Sequence, residues 1–359
     1  MTTALAGSSP LTGPVLIVGC GLMGTSLGLA LRSDGHDVYL TDIDETHLAM
    51  AEGLGAGVSA MSEAPQLVVI AVPPDSTAPA IAAALSAWPD AFVTDLASVK
   101  HGIVGALGDV EGIERYVGGH PMAGTERSGP LGASDLLFEG RAWAITPHPR
   151  SAPEAKALVE HVAKSVGATT LVMDTEEHDR AVALVSHLPH LMSVLTAARL
   201  EPATAEQLAL SGPGLRDVTR IAGSGSSMWQ QILTSNADAV GALLGAVRDD
   251  IDRLLVSLES GDESLTGFLD RGRKGTQRVP GKHGTSPSDQ AIVFVQVADR
   301  PGELQRLMTD TGQSGVNIED IRIDHDLGRE VGVVEVYVSP TAADHLVGAL
   351  VGLGWSAYR

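Results

Sequence analysis

The tightest constraint on the fold is the run Gly19-Cys20-Gly21-Leu22-Met23-Gly24. It follows an apolar stretch, Pro14 to Gly19, that reads as a buried parallel strand, and it opens an Ala/Leu-rich segment, Met23 to Arg32, that reads as a helix. Three glycines at this spacing meet three demands. The first permits a tight turn, the second lets the backbone approach a pyrophosphate, and the third allows close helix–strand packing. The helix N-terminus then faces the phosphates. Such a pattern alone is weak. Here the strand, the helix and an acid at the end of the next strand, Asp42 after Asp37 to Thr41, stand together. Asp42 is placed to bond the adenine ribose hydroxyls, its charge opposes a 2′-phosphate, and Ile43 and Asp44 follow it rather than an arginine; this favours NAD. A cap or turn role for Asp42 is the plainer alternative. Cys20 reads as a small space-filler rather than a nucleophile. The expected cofactor contacts are Gly19, Gly21, Leu22, Met23, Gly24, Asp42, Val72, Pro73 and Ser98.

Further strands are expected at Leu67 to Val72, Phe92 to Asp95, Tyr116 to Gly118 and Ala142 to Thr146, with closure near Leu171 to Met173. Strands alternating with helices predict a doubly wound α/β sheet, a Rossmann-type NAD-binding domain over residues 1–174. The pattern then changes. Segments Asp179 to Arg199 and Asn236 to Glu259 carry helical periodicity, so residues 175–269 form an all-α substrate and dimerisation domain. Residues 270–289, rich in Gly, Arg, Lys, Ser and Pro, read as an exposed linker. Residues 290–359 start over as β-α-β-β-α-β, a ferredoxin-like α+β unit. Its strands are expected at Ala291 to Val297, Ile318 to Ile323, Val331 to Val338 and Trp355 to Tyr358. Its helices are one opened by Pro301 and one over Thr341 to Leu353.

A chain of 359 residues exceeds one ordinary core. The formal net charge of -20 argues against nucleic acid and anionic membranes as partners, and it means an anion site needs local cations. The single cysteine excludes an intrachain disulfide framework. The N-terminus lacks the regions of a signal peptide, and no stretch is expected to reach the length of a membrane span, so a cytoplasmic protein is expected.

Three clusters bear on the reaction. Ser98 lies in Asp95-Leu-Ala-Ser98-Val-Lys100, just past a strand end that lines the cofactor crevice. His120, in His120-Pro-Met-Ala-Gly-Thr-Glu126, is expected just past another strand end. A neutral imidazole there can take a hydroxyl proton while a hydride leaves the carbinol. The stretches Ser186-His187-Leu188-Pro189-His190 and Arg216-Asp217-Val218-Thr219-Arg220 complete a site suited to oxidising a small dianionic alcohol. Plainer readings stand beside these. His120 alone fits a packed turn residue, Arg220 a surface ion pair, Trp229 core packing, and Glu126 and Asp217 solvated helix-end acids. His187 and His190 also have metal-ligand spacing, but no further ligand set accompanies them, and no metal is expected.

The stretches HPMAGTERSG, SHLPH and RDVTRIA followed by Met228-Trp229, after the glycine-rich start, resemble the prephenate dehydrogenases of tyrosine biosynthesis over residues 15–260. Residues 291–359, with Asp299-Arg-Pro-Gly-Glu-Leu304 and Asn317-Ile-Glu-Asp-Ile321, resemble an ACT domain. The resemblance implies NAD-dependent oxidative decarboxylation of prephenate to 4-hydroxyphenylpyruvate. It implies that His120 accepts the hydrogen bond of the ring hydroxyl and that Ser98 orients His120 or that hydroxyl. It places Glu126 at the mouth of the site, His190 at the side-chain end of the substrate, and Arg220 on the ring carboxylate, with Asp217 as polar support and Trp229 in the pocket. Arogenate as substrate, a β-hydroxyacid dehydrogenase, and a non-catalytic NAD and amino-acid sensor are the competing readings. A homodimer through the helical segment is expected. Tyrosine, or phenylalanine second, is expected at Asp299, Pro301, Gly302 and Asn317, with a purely dimerising role for that unit as the alternative.

Overall fold

The computed structural model describes residues 10–124, 129–261, 264–279, 290–325 and 331–359. The chain divides into two compact units, Met1–Val247 and Arg248–Arg359. The first holds a seven-stranded sheet built from β1 (Val15–Val18), β2 (Val38–Thr41), β3 (Leu67–Ile70), β4 (Phe92–Asp95), β5 (Tyr116–Pro121), β6 (Ala142–Pro147) and β7 (Thr169–Val172), in the order β2-β1-β3-β4-β5-β6-β7. β1 and β3 are almost wholly buried runs, VLIV and LVVI, as strands covered on both faces must be. Helices α1 (Leu22–Ser33), α2 (Glu45–Gly53), α3 (Pro74–Ala87), α4 (His101–Leu107) and α5 (Pro153–Ser165) supply the cover. One core joins Leu27, Leu31, Leu158 and Val162 to Ile17 and Val69 on one face. The other joins Ile81, Leu85 and Ile103 to Val68, Ile70 and Val93.

The chain leaves β1 for β2 on one side and β3 on the other, both parallel to it. That reversal of strand order opens a crevice at the C-terminal end of β1, where a dinucleotide site belongs in such sheets. Gly19 sits there with φ 105, and an added Cβ would lie 2.4 Å from the Ala71 carbonyl oxygen. A Cβ on Gly24 would lie 2.0 Å from the Gly19 carbonyl oxygen, so α1 rests directly on the turn.

Two features differ from the sequence expectation. β5 does not stop at Gly118 but continues through Pro121, so His120 lies within a strand rather than past its end. The cause is tertiary: β6 runs antiparallel to β5 and pairs Ala144 with His120, extending a Gly-Gly-His-Pro stretch with no strand propensity of its own. The sheet is therefore mixed, with β6 and β7 reversed relative to the first five strands.

Behind β4 and β5 lies a buried ionic group. Lys100 and Asp95 are both fully buried and paired, and the Tyr116 hydroxyl donates to Asp95 Oδ1 at 2.8 Å. The Ala97 amide donates to Asp95 Oδ2 at 3.0 Å. Burial pushes the Lys100 ammonium below its ordinary value, opposed by Asp95, and burial then Asp95 push the Tyr116 phenol well up.

The helical part of this unit contains α6 (Thr175–Val182), a π-helical turn (Ala183–His187), α7 (Leu188–Ala198), α8 (Ala205–Leu208), α9 (Pro213–Thr219), a 3-10 turn (Arg220–Gly223) and α10 (Ser226–Ser235), then the start of α11 (Ala237–Ser260). Thr175–Ala198 is one continuous helical run of 24 residues, long and apolar enough by composition to cross a membrane. The expectation that no stretch reaches that length is corrected. His178, Asp179, His187, His190 and Ser193 are buried together with Val182 and Ala183, while Leu184, Val185 and Leu195 are exposed. Of the buried residues, His178 and Asp179 hydrogen-bond to the Rossmann-type part, so that side of the run faces protein rather than lipid.

In the second unit, α12 (Ser264–Thr276) is helical through residues read as linker from 270 onward. Its basic residues pair with acids one turn away or on α11, as Arg273 does with Asp270 and Arg271 with Asp250. Residues 280–289 lie outside the described residues. A four-stranded antiparallel sheet follows, with elements in the order β8 (Ala291–Ala298), α13 (Glu303–Gln313), β9 (Asp320–His325), β10 (Val331–Val338), α14 (Pro340–Gly352), β11 (Ser356–Tyr358), and strands side by side as β11-β8-β10-β9. Pro301 does not open α13; it lies in the turn before it, and Gly302 at φ 94 is the cap. Trp355 locks the unit, donating to Asp310 Oδ2 at 2.7 Å beneath the Arg306 guanidinium at 3.9 Å.

Two stability outcomes follow. Gly24→Ala forces the α1–turn contact apart and lowers unfolding free energy by about 1–3 kcal/mol in urea titration. Lys100→Met leaves Asp95 buried without its cation and costs about 3–5 kcal/mol in the same measurement; a change under about 1 kcal/mol would show the pair to be dispensable.

Candidate functional site

The cofactor crevice is braced from below. Asp42, just past β2, accepts from the Cys20 amide at 2.5 Å through Oδ2 and from the Asp44 amide at 2.8 Å through Oδ1. The carboxylate thus holds the glycine turn from its rim, the turn role that was the plainer reading of this residue. A Cβ on Gly21 would meet nothing within 4 Å, leaving the turn open on the side a pyrophosphate approaches. The first turn of α1, with Leu22, Met23 and Gly24, has no side-chain cap, so its amides are not occupied by the protein's own capping group. Val72 and Pro73 follow β3 on the other side of the crevice, Val72 half-buried and Pro73 exposed. Burial, then Asp42 and Glu52, push the Cys20 thiol up to about 12, which removes it as a nucleophile.

The second half of the site is a line of hydrogen bonds. His120 Nδ1 meets His178 Nε2 at 2.9 Å, and His178 Nδ1 meets Asp179 Oδ1 at 2.8 Å. The Asp179 carboxylate also accepts from the Lys100 and His101 amides, each at 2.8 Å, which ties α6 to the loop after β4. Asn236 Nδ2 donates to the Asp179 backbone carbonyl at 2.8 Å and faces His187 Nδ1 at 3.3 Å. His120 is held well below the ordinary histidine value by burial, then by His178, Lys100 and His187. His187 is lowered to about 4 by burial, against the pull of Asp179. Both rings are therefore neutral at physiological pH.

Beyond this line, Trp229 on α10 stacks on His190 of α7, with ring centroids 3.5 Å apart and planes 4° from parallel, and stands edge-on to His187. His190 is buried, which lowers its pKa, and its Nδ1 has no hydrogen-bond partner among the described residues. Arg220 and Asp217 lie on the 3-10 turn and on α9, both exposed, and both elements pack against α7. Ser98 is half-buried in the loop between β4 and α4. It is not the hydrogen-bond partner of His120; that place is taken by His178. Glu126 lies outside the described residues.

Sequence reasoning missed His178 and Asp179. The sequence signal was broken: His178, Val182, His187, His190 and Ser193 are all buried, but the five-residue step from 182 to 187 falls in the π-helical turn Ala183–His187 and departs from α-helical spacing. The residues expected to bind an amino acid lie in the second unit. Asp299, Pro301 and Gly302 form the exposed turn between β8 and α13, and Asn317 donates to Glu319 at 2.9 Å. Asp299 and Arg300 border a small cleft that also includes Leu304 and Ile323.

Residues 27–172 match the nucleotide-binding domain of prephenate dehydrogenase, and residues 174–270 match its dimerisation domain. A probable prephenate dehydrogenase, NovF, of Streptomyces niveus is 37% identical over 360 residues, covering 95% of this chain and 98% of the relative. Among solved structures, prephenate dehydrogenase from Aquifex aeolicus in complex with hydroxyphenyl propionate and NAD+ is 32% identical, with a TM-score of 0.67 over 74% of this chain and 97% of that one. Synechocystis arogenate dehydrogenase is 26% identical, with a TM-score of 0.63 over 73% of this chain and 98% of that one. With a nucleotide crevice, a buried neutral histidine beside it and these matches along its length, the chain belongs to the prephenate dehydrogenase family.

Proposed function

We propose that this protein oxidises prephenate with NAD to 4-hydroxyphenylpyruvate and CO2. The observation that carries the proposal is His120, neutral and hydrogen-bonded through Nδ1 to His178, so that Nε2 is the nitrogen left for substrate. NAD, held by the Gly19–Gly24 turn, the first amides of α1, Asp42, Val72 and Pro73, supplies the hydride acceptor when bound. His120 Nε2 takes the hydroxyl proton as the hydride leaves the same carbon. The electron pair of the bond to the ring carboxylate then enters the ring, CO2 departs, and the ring becomes aromatic. Ser98 lies in the loop past β4 and orients the hydroxyl rather than His120. Arg220 pairs with the ring carboxylate, a contact an acidic protein must supply locally. His190, held flat by Trp229, meets the side-chain end through its unpartnered Nδ1. Asp217 and Glu126 complete the polar rim.

Arogenate is the second reading, favoured by the similarity to the Synechocystis enzyme. It differs from prephenate at the end of the substrate assigned to His190. The helical part forms a homodimer: its domain match carries that description, and Leu184, Val185, Leu195, Leu210 and Met228 are exposed apolar side chains. The second unit's β-α-β-β-α-β order supports a ferredoxin-like ACT module, with tyrosine, or phenylalanine, binding near Asp299, Pro301, Gly302 and Asn317. The protein works in the cytoplasm, where its cofactor and a single reduced cysteine are at home.

Turnover of prephenate with NAD, followed as NADH absorbance, tests the assignment. His120→Asn lowers kcat by about 10²–10⁴ while NAD affinity holds. Because burial depresses the His120 pKa, the acid limb of kcat/KM falls below the ordinary histidine value of 6.5 rather than at it. A limb at or above that value, or near-normal turnover of His120→Asn, would remove His120 as the base. For the C-terminal unit, tyrosine inhibits the full chain but not a chain ending after Thr276 that keeps basal activity; equal inhibition of both would place tyrosine in the active site instead.

A further inference from the structure

We infer that Asp179 and His178 are positioning residues of the oxidation, which set the tautomer of His120 so that its Nε2 carries the lone pair. The inference rests on the reading of His120 as the base. It follows from what each atom in the line can do. The Asp179 carboxylate is an acceptor, and its two oxygens already take the Lys100 and His101 amides. His178 Nδ1, 2.8 Å from Asp179 Oδ1, must therefore carry a proton. In its neutral form His178 has one N–H, so its Nε2 is an acceptor. His120 Nδ1, 2.9 Å from it, must then be the donor, and the remaining lone pair of His120 falls on Nε2. The chain of assignment runs in one direction only, from a fixed anion to the reacting nitrogen.

Protonating His178 would reverse it. A doubly protonated His178 donates to His120 Nδ1, pushes the His120 proton onto Nε2 and switches the base off. On His120 itself, burial first, then His178, Lys100 and His187, disfavour positive charge, while Asp179 holds the far nitrogen of His178. His178 is 1% exposed and Asp179 5%, so bulk water does not compete for these hydrogen bonds. When His120 accepts the substrate proton, its Nδ1–H strengthens toward His178 and, through it, toward the carboxylate. This is the arrangement by which a buried acid orients a catalytic histidine without itself taking the proton.

Asp179 also anchors the backbone at Lys100 and His101, so loss of activity in a variant does not suffice. The first measurement is a ¹H–¹⁵N multiple-bond spectrum of histidine-labelled full-length protein at about pH 8, with His120→Asn used to assign the His120 signals. The expected result is an unprotonated Nε2 and a protonated Nδ1 on His120. The second is kinetic. Asp179→Asn and His178→Leu lower kcat by about 10²-fold or more, with both KM values within about threefold and NAD binding by tryptophan fluorescence retained. His178→Gln, which keeps an acceptor for His120 Nδ1, recovers kcat to within about tenfold of the native protein. A His120 proton on Nε2 in the native protein overturns the inference. So does native kcat in both Asp179→Asn and His178→Leu while His120→Asn is inactive. Full activity of His120→Asn would instead sink the reading of His120 as the base.

Discussion

The Asp179 carboxylate joins the two halves of the site. It sits on the first helix after the sheet, yet its oxygens cap the backbone amides of Lys100 and His101 in the loop past β4. The same carboxylate orients His178, and His178 bonds to His120 on β5. Its backbone carbonyl receives Asn236, at the entry to α11, and Asn236 in turn faces His187. One buried acid therefore fixes the spacing between the strand that carries the proposed base and the helices that carry the proposed substrate contacts. Buried charge of this kind persists only when it is well hydrogen-bonded, and here both carboxylate oxygens accept.

A buried ion pair lies next to this carboxylate. Lys100 gives its amide to Asp179 and its ammonium to Asp95, which also takes Tyr116 from β5. The loop after β4 is thus pinned at both ends of a single residue. Its neighbour Ser98 remains half-buried and without a structural role of this kind. Burial first, then His178 and Lys100, hold His120 neutral, which is the protonation state a proton acceptor requires. On the cofactor side the logic is steric rather than electrostatic. Gly19 and Gly24 leave no room for side chains, while Gly21 faces open space.

Much of the architecture is legible along the chain because its signals are local. The glycine turn, the apolar strands around it and Asp42 are neighbours in sequence, and their spacing is dictated by backbone geometry. The change at about residue 175 from strand to helix periodicity is equally local. The extension of β5 through His120 is not, since it depends on the antiparallel partner β6. Residues 270–276 have a loop-like composition but hold a helix whose basic residues pair with acids at helical spacing and on α11. Composition records neither partner.

The sequence by itself marked a nucleotide-binding turn at the first strand–helix junction, because glycine spacing encodes it, and it offered His120, His190 and Arg220 as candidates through the motifs of the family resemblance. Only the tertiary structure decided what His120 touches. Ser98 is 22 positions away and His178 is 58, and nothing in either interval distinguishes them until β5 and α6 are packed together. The tautomer of a histidine is set by its hydrogen-bond partner, and a partner across the core is chosen by the fold, not by the residues beside it in the chain.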